Sequence, residues 1–482
     1  MSVSRSSLIF LVGVLSFVIL YSVSTLTTKP AYWYDEAINV ELAHNFASYG
    51  KLDLIIAPHT FSGQGATVGS TGYTVTLPLA GFFKVFGFGL TEARVYMLLW
   101  MCALVIVFFF IARKLWGNQV AYGGTLLIAS FAPFYGNGRS VMGEIPGFLF
   151  FLGAFYFFEQ KKWWQSGLLL GLSVVSKPSV FIFLIPAFVL AVLCEKSAGK
   201  AKLVTLIKLG ASSALALIPW FLLYVEEITR GGLGVNILNH FKNPYAEAGV
   251  GVLSNMLHNL PTLVTSTTLL YMWGLLAVSI FGLFLKKELL REHAHLLIIS
   301  SVYIPLALLQ YLKSFGYLRY FVGAELLLFI LFLIALPEVL RWVGENVHLR
   351  AGTGRVFGVA VTLLCIIQLV HLFGFSDIYP SDKTQKTIVY LYSTYPTGTV
   401  GVINVPQIAS FVPSFQKYQY LSTYGLWNFG AHMLYLAPER LPDVIVAEEK
   451  GRGLSAEEEY LFETLYERDT AFTDGFSIYR KR

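Results

Sequence analysis

Long apolar stretches alternate with short polar segments along most of the chain. A helix needs about 20 apolar residues to cross a bilayer, and shorter helices are tolerated inside a bundle. Eleven stretches meet this description, namely residues 7–26, 92–112, 119–136, 145–158, 163–176, 179–194, 203–224, 263–285, 295–312, 320–340 and 356–374. The pattern therefore predicts an all-α polytopic membrane protein with about eleven membrane-spanning helices.

Composition agrees with this class. Of the 482 residues 55 % are apolar and only 13 % are charged, and the mean hydropathy is +0.62. A soluble protein carries more charge. The net charge of +6 needs no nucleic-acid partner, because the basic residues lie between the apolar stretches, where membrane topology explains them. The three cysteines lie in or beside apolar segments, so neither a disulfide framework nor a cysteine metal motif is predicted.

Basic residues also predict the orientation. If every apolar stretch crosses the membrane once, the basic clusters all fall on the same side of it. These clusters lie at residues 113–114, 161–162, 196–202, 286–291 and 341–355. The positive-inside rule makes that side cytoplasmic. The first stretch has no small-residue cleavage site and is interpreted as a retained helix with a cytoplasmic N-terminus. Lys177-Pro178 interrupts residues 163–194, and two short spans there, rather than one kinked helix, keep the basic clusters together.

The long loops then collect on the outer face. Within the first, residues 27–91, Ile38, Leu42 and Phe46 are spaced four apart, as on one face of a helix over 35–49. This segment and residues 75–88 are interpreted as interfacial helices. A later loop, residues 226–261, is polar and irregular, with Gly231-Gly232 and Asn243-Pro244, and is expected to form a mobile cover.

The last part of the chain differs from the rest. Short β-like runs occur at 400–405, 444–447 and 476–479, with a helical pattern at 456–468. These features predict a small extracytoplasmic α/β domain over residues 376–482, after a membrane domain over residues 1–375. No Gly-rich phosphate loop occurs in it. We expect this domain to help bind an acceptor or cover the site, without catalytic residues.

Acidic residues occur at two places on the predicted outer face. Asp35 and Glu36 follow the first apolar run, and carboxylates so close to a bilayer are costly unless they have a function. An alternative is that they favour the start of the following helix. Glu144 follows Arg139 at the outer end of another stretch, where an Arg–Glu pair that holds a loop is an equally good explanation.

Cations occur on the same predicted face. Lys177 lies at the outer end of a hairpin, Arg319 precedes Tyr320 at the end of a later stretch, and Arg94 lies where the first loop re-enters the membrane. Contact with lipid headgroups would explain Lys177 alone. Together with the three acids, these cations predict a site for an anionic lipid headgroup and a nucleophile that needs a base.

The order of these motifs resembles a known class. The motifs are Tyr34-Asp35-Glu36-Ala37, Thr76-Leu77-Pro78 to Glu92-Ala93-Arg94, Gly138-Arg139 to Glu144-Ile145-Pro146, Gly171-Leu172 to Ser176-Lys177-Pro178, and Leu318-Arg319-Tyr320. Over roughly residues 1–340 they resemble the GT-C glycosyltransferases that use polyprenyl-phosphate sugars, which include the protein O-mannosyltransferases and the lipid A aminoarabinose transferase. The segment 321–325 departs from the prolines usual after the Arg-Tyr pair, and the segment before Pro78 lacks the usual proline-rich start.

The resemblance implies an enzyme of the plasma (inner) membrane that transfers a sugar, with inversion, from a polyprenyl-phosphate donor to a hydroxyl of a lipid, glycan or protein acceptor outside. It implies roles for eight residues: Asp35 as general base, Glu36 and Glu144 as orienting acids, Arg319 and Lys177 as ligands of the leaving phosphate, and Arg139, Arg94 and Tyr320 as further phosphate-site residues. No cofactor is required, although Asp35 and Glu144 could hold Mg²⁺ or Mn²⁺.

Two other classes of protein fit parts of the pattern. A transporter or flippase of a lipid-linked or anionic substrate would place ionisable groups near mid-span and in repeated halves. Here the middles of the stretches are nearly free of charge, and the Asp35-Glu36 segment is not repeated. A scaffold protein without chemistry would not need acids and cations at one interface.

Overall fold

The computed structural model describes residues 4–230, 251–314, 317–347, 352–375, 378–423, 427–429, 433–449 and 452–482. Each of the eleven apolar stretches is helical. The helices are Arg5–Val23, Leu90–Leu115, Asn118–Ser130 with Ala132–Gly138, Glu144–Glu159, Trp163–Ser176, Pro178–Phe181 with Leu184–Cys194, Gly199–Leu215 with Leu217–Leu223, Thr267–Leu285, Ala294–Lys313, Val322–Val347, and Thr353–Val370.

Seven helical segments among the described residues are long and apolar enough to cross a membrane. This confirms a helical polytopic membrane protein, while the number of eleven crossings stays a prediction. The segment Leu318–Val347 is the most enclosed of the seven, since nearly all of its apolar part is buried. It packs against Thr267–Leu285, Ala294–Lys313 and Asn118–Ser130, and so forms the centre of the bundle.

The loop at residues 27–91 contains the two predicted helices, Tyr34–Tyr49 and Tyr73–Phe86. Ile38 and Leu42 pack with Leu54 and with Leu421 of the C-terminal region. The opposite face of the Tyr34–Tyr49 helix, made of small residues such as Ala37, packs on the Tyr73–Phe86 helix. The helix is therefore covered on two faces, of which the sequence pattern indicated one.

The C-terminal region is an α/β domain, as predicted. Its mixed sheet has the strand order Trp427–Phe429, Lys417–Thr423, Val400–Ile403, Val444–Ala447, Ser477–Lys481 and Tyr466–Arg468. The strand Val400–Ile403 is parallel to both of its neighbours, and the other pairs are antiparallel. Helices Lys383–Thr394 and Ala456–Leu465 flank the sheet, and the second begins with a capping box.

The region predicted as a mobile cover is described only in part. Helices Val225–Arg230 and Val252–Asn259 flank residues 231–250, which include Gly231-Gly232 and Asn243-Pro244 and lie outside the described residues. Before this gap, Glu227 accepts hydrogen bonds from the backbone N–H groups of Ala66 and Thr67 in the loop at residues 27–91. That contact caps the short Gly65–Val68 helix and ties the two loops together.

Candidate active site

Asp35 and Arg319 form an ion pair at one end of the bundle. Asp35 lies in the first turn of the Tyr34–Tyr49 helix, and its Oδ2 is 2.9 Å from Nη2 of Arg319. The guanidinium carbon of Arg319 lies 4.4 Å from the centre of the Trp33 ring and 5.3 Å from that of Tyr320. Within the described residues, no acceptor binds Nε or Nη1 of Arg319. The guanidinium can therefore take further oxygens while it holds Asp35.

Lys177 lies in the break between the helices Trp163–Ser176 and Pro178–Phe181, and its side chain is 2 % exposed. Its Nζ donates to the carbonyl of Ser70 at 2.7 Å. Burial lowers the pKa of Lys177 below its ordinary value, while the negative charge of Glu144 opposes that shift.

Two loops contact the turn that contains Lys177. The N–H of Gly72, from the first loop, donates to the Ser176 carbonyl at 3.2 Å. Gly143 packs against the same carbonyl so closely that a Cβ would lie 1.8 Å from the oxygen. Only glycine fits there, and the residue after it is Glu144. The contact therefore brings the start of the Glu144–Glu159 helix beside Lys177.

The Glu144 carboxylate is fully buried in the first turn of its helix. No donor among the described residues bonds to either of its oxygens. Its charge acts on both Lys177 and Arg319. A buried carboxylate without a donor is rare in a native protein and indicates that a hydrogen-bonding partner belongs there.

Four of the predicted residues thus meet in one place: Asp35, Glu144, Lys177 and Arg319. They come from four separate segments of the chain, and Tyr320 flanks them. Two cations can bind a phosphate, and a carboxylate close to them can accept a proton. Two cations and nearby carboxylates are the side chains that a site for transfer of a group from a phosphate requires.

Glu36 and Arg94 instead form a separate, fully buried ion pair. Nε and Nη2 of Arg94 donate to the two carboxylate oxygens of Glu36 at 3.0 and 2.8 Å. Nη1 of Arg94 donates to the carbonyls of Leu26 and Pro30. These bonds connect the Tyr34–Tyr49 helix to the Leu90–Leu115 helix and to the chain after the first span. The geometry corresponds to an anchoring pair rather than to the substrate contacts expected for Glu36 and Arg94.

Arg139 also lies apart from the four residues. It is fully buried, its guanidinium carbon lies 5.1 Å from the centre of the Tyr21 ring and 5.4 Å from that of Tyr135, and its Nη1 donates to Oγ1 of Thr25 at 2.9 Å. Among the residues that the structure describes, the ion pair between Arg139 and Glu144 that the sequence allowed does not form. Its expected phosphate contact stays a prediction.

Asp35 and Glu144 do not fit a divalent cation. Asp35 is held by Arg319, and Lys177 brings a positive charge beside Glu144. Hard cations such as Mg²⁺ need several oxygen ligands, whereas the described part of the chain contains no group of three His, Cys, Asp or Glu residues that could hold a metal ion.

An ion pair between domains was not predicted. Nζ of Lys417, on the first residue of a strand of the C-terminal domain, lies 2.6 Å from Oε1 of Glu41, and both side chains are almost fully buried. The same carboxylate oxygen accepts the N–H of Ile55, and Lys417 also donates to the Ala409 carbonyl. A single lysine in a polar strand gives no sequence signal of such a contact. The pair ties the domain to the helix that carries Asp35.

Solved structures resemble the whole chain. The oligosaccharyltransferase of Archaeoglobus fulgidus, solved with Zn and sulfate, is 14 % identical with a TM-score of 0.56, covering 97 % of this chain and 72 % of its own. ArnT from Cupriavidus metallidurans, solved with undecaprenyl phosphate, is 13 % identical with a TM-score of 0.64, covering 99 % and 98 %. AglB from Archaeoglobus fulgidus, solved with an inhibitory peptide and a dolichol-phosphate, is 12 % identical with a TM-score of 0.55, covering 98 % and 74 %. The shared architecture is the GT-C glycosyltransferase fold.

The sequence itself supports the same class. Residues 74–224 match the sequence model of the family described as dolichyl-phosphate-mannose-protein mannosyltransferases. No curated protein sequence matches the chain. The matched segment includes Arg94, Arg139, Glu144 and Lys177. The solved structures confirm the predicted GT-C architecture, and the matched segment is similar to the mannosyltransferase family.

Proposed function

We propose that this protein transfers a sugar from a polyprenyl monophosphate to an acceptor hydroxyl at the outer face of the membrane. The observation that carries the proposal is the convergence of Asp35, Glu144, Lys177 and Arg319. A site for this reaction needs cations for a phosphate and a carboxylate for a proton, and these four residues supply both. The plasma (inner) membrane is the proposed location, with the N-terminus cytoplasmic and the C-terminal domain, residues 376–482, outside.

The donor phosphate would bind to Arg319 and Lys177. Arg319 keeps two buried nitrogens, Nε and Nη1, without an acceptor in the described chain, and a guanidinium matches the spacing of two phosphate oxygens. Lys177 adds a compact charge from the opposite loop. Loss of one such contact should cost about 2–4 kcal/mol of transition-state stabilisation, by analogy with an oxyanion-hole donor.

Asp35 is the proposed general base. The acceptor oxygen forms a bond to the anomeric carbon as the bond from that carbon to the phosphate oxygen breaks, and its electron pair leaves with the lipid phosphate. The acceptor proton passes to the Asp35 carboxylate. Direct displacement at the anomeric carbon inverts its configuration. Glu144, whose oxygens lack donors in the described part of the chain, is proposed to orient a substrate hydroxyl.

The structural relatives support a lipid-linked donor. ArnT was solved with undecaprenyl phosphate, and AglB with a dolichol-phosphate and an inhibitory peptide. We propose a polyprenyl-phosphate sugar as the donor of this chain, and a lipid, glycan or protein hydroxyl as its acceptor. No cofactor takes part in the proposed reaction, since the side chains around the phosphate already carry positive charge.

The test is turnover of a defined donor. Undecaprenyl-phosphate and dolichyl-phosphate sugars are added to native membrane vesicles that carry wild-type protein or Asp35→Asn and retain their own lipid, glycan and protein acceptors, and the free lipid phosphate released is measured. Release by the wild type and its loss in the variant support the proposal. Equal release by both proteins would refute the assigned base. Movement of intact donor across the bilayer without release would replace the transferase with the transporter alternative.

A further inference from the structure

Tyr303 is a buried residue that the site described so far does not use. It lies in the Ala294–Lys313 helix and is 1 % exposed. Its hydroxyl has no hydrogen-bond partner among the described residues. A phenylalanine would fill the same space without the cost of burying an unpaired hydroxyl. The hydroxyl therefore calls for an explanation other than packing.

Tyr303 packs against a backbone segment next to the candidate site. A Cβ on Gly323 would lie 2.4 Å from the Tyr303 hydroxyl oxygen, so the hydroxyl rests directly on that backbone. Gly323 is one helical turn from Arg319 along the chain. The ring of Phe181 is parallel to that of Tyr303, with centroids 6.5 Å apart, and packs on both Gly323 and Gly147. These contacts form a continuous path from Tyr303 to the two loops that carry Lys177 and Glu144.

Packing contacts link Tyr303 to an acid. Gly147, about one turn after Glu144 in the same helix, contacts the Phe181 ring, which lies parallel to that of Tyr303. Glu144 has two buried oxygens without a donor among the described residues. One side of the site thus combines a carboxylate, which only accepts hydrogen bonds, with a phenol, which both donates and accepts. An anionic group would be repelled by Glu144, whereas a neutral polyol can satisfy both side chains.

We infer that Tyr303 and Glu144 together form a subsite for the hydroxyl groups of the transferred sugar, next to the phosphate ligands Arg319 and Lys177. This inference rests on the proposed function and adds a substrate-contacting residue to it. Gly323 belongs to the segment 321–325 that departs from the related motif, and its missing side chain leaves room for the Tyr303 hydroxyl. Tyr303 thereby contributes to the choice of sugar.

The experiment compares Tyr303→Phe with a matched control on the same helix. Tyr311 is equally buried, but its hydroxyl is 2.6 Å from that of Thr262. Tyr311→Phe should lower the thermal unfolding temperature and leave donor turnover unchanged, because it removes a bond within the protein. Tyr303→Phe should leave the unfolding temperature unchanged or raise it. It should lower kcat/KM for the donor by about 3- to 10-fold, the loss expected for one hydrogen bond to a neutral group.

Donors that lack one sugar hydroxyl identify which hydroxyl contacts Tyr303. Undecaprenyl-phosphate mannose, glucose and galactose are compared, and the best donor is then tested as its monodeoxy forms. One monodeoxy form should be used about 3- to 10-fold less well by the wild type and no less well than the parent by Tyr303→Phe. Equal kcat/KM of wild type and Tyr303→Phe, or a lower unfolding temperature of that variant, would overturn the subsite alone. Absence of any turnover by the wild type would refute the proposed function, and the subsite with it.

Discussion

Polar groups on and around the Tyr34–Tyr49 helix fall into two regions. Along the body of the helix, Glu36 is bound by Arg94 and Glu41 by Lys417, with both pairs almost completely buried. At the helix start, Asp35 binds Arg319, whose Nε and Nη1 lack acceptors within the described residues. The two ion pairs form a saturated region, in which each acid is bound by a cation, and the helix start forms an unsaturated region, in which Arg319 keeps two nitrogens without an acceptor in the described chain.

The difference distinguishes polar side chains that stabilise the fold from those that are proposed to bind the substrate. Buried polar groups are nearly always paired inside a stable protein. The two ion pairs follow this rule, whereas Glu144 and Tyr303 are among the side chains of the described chain that do not. Such groups are costly in the free protein and persist where a ligand supplies the missing partners. Substitutions in the saturated region should therefore affect stability, and those in the unsaturated region should affect turnover.

The largest effect is expected for Asp35→Asn. Removal of the general base should lower donor turnover by about 100- to 10,000-fold, the usual contribution of a positioned base. The free energy of unfolding should change little, because Asp35 is partly exposed and Arg319 keeps its contact with Trp33. Release of lipid phosphate measures the first effect and chemical denaturation the second. Asp382→Asn, in an exposed pair with Lys386, is the control for removal of an acid.

Arg94→Met tests the saturated region. The change leaves the Glu36 carboxylate buried without a cation, which should lower the free energy of unfolding by about 3–5 kcal/mol. The double variant with Glu36→Gln should lose less than the sum of the two single variants, since neither charge remains. Denaturation of purified protein in detergent gives these values. If the losses of unfolding free energy of the two single variants add exactly in the double variant, the two side chains do not interact.

Lys417→Met tests the contact between the domains. Glu41 would keep the Ile55 N–H, so the expected loss of stability is smaller, about 3 kcal/mol. Hydrogen exchange of residues 34–49 should become faster, because the C-terminal domain no longer holds this helix. Lys386→Met, which removes an exposed pair, should cost less than about 1 kcal/mol and leave exchange in that segment unchanged.

The smallest effect concerns pH. Burial lowers the pKa of Lys177, so this side chain loses its proton at a lower pH than a free lysine does. The KM for the donor should therefore rise with pH already in the range below the ordinary lysine pKa, as the phosphate loses one cation. Lys177→Arg keeps its charge throughout that range and should show a flatter profile, whatever its absolute KM. Identical profiles would remove Lys177 from the phosphate site.

The sequence alone predicted the helices and most of the residues that meet at the site. Apolar runs of membrane length have few alternatives to helices, because a backbone in lipid must satisfy its own hydrogen bonds. Carboxylates beside such runs are costly unless they have a function, and several cations were predicted on the same face as these acids. For this reason Asp35, Glu144, Lys177 and Arg319 could be selected before their positions were known.

Only the tertiary structure separated the selected residues by role. Glu36 is adjacent to Asp35 in sequence, yet its carboxylate faces Arg94 instead of the site, since neighbouring side chains on a helix point in different directions. Tyr303, Glu41 and Lys417 gave no signal, because an aromatic residue in an apolar helix and single charges in polar segments are ordinary. Their significance depends on partners that are distant in the chain. Sequence periodicity describes one element at a time, whereas the presence or absence of a hydrogen-bonding partner is decided between elements.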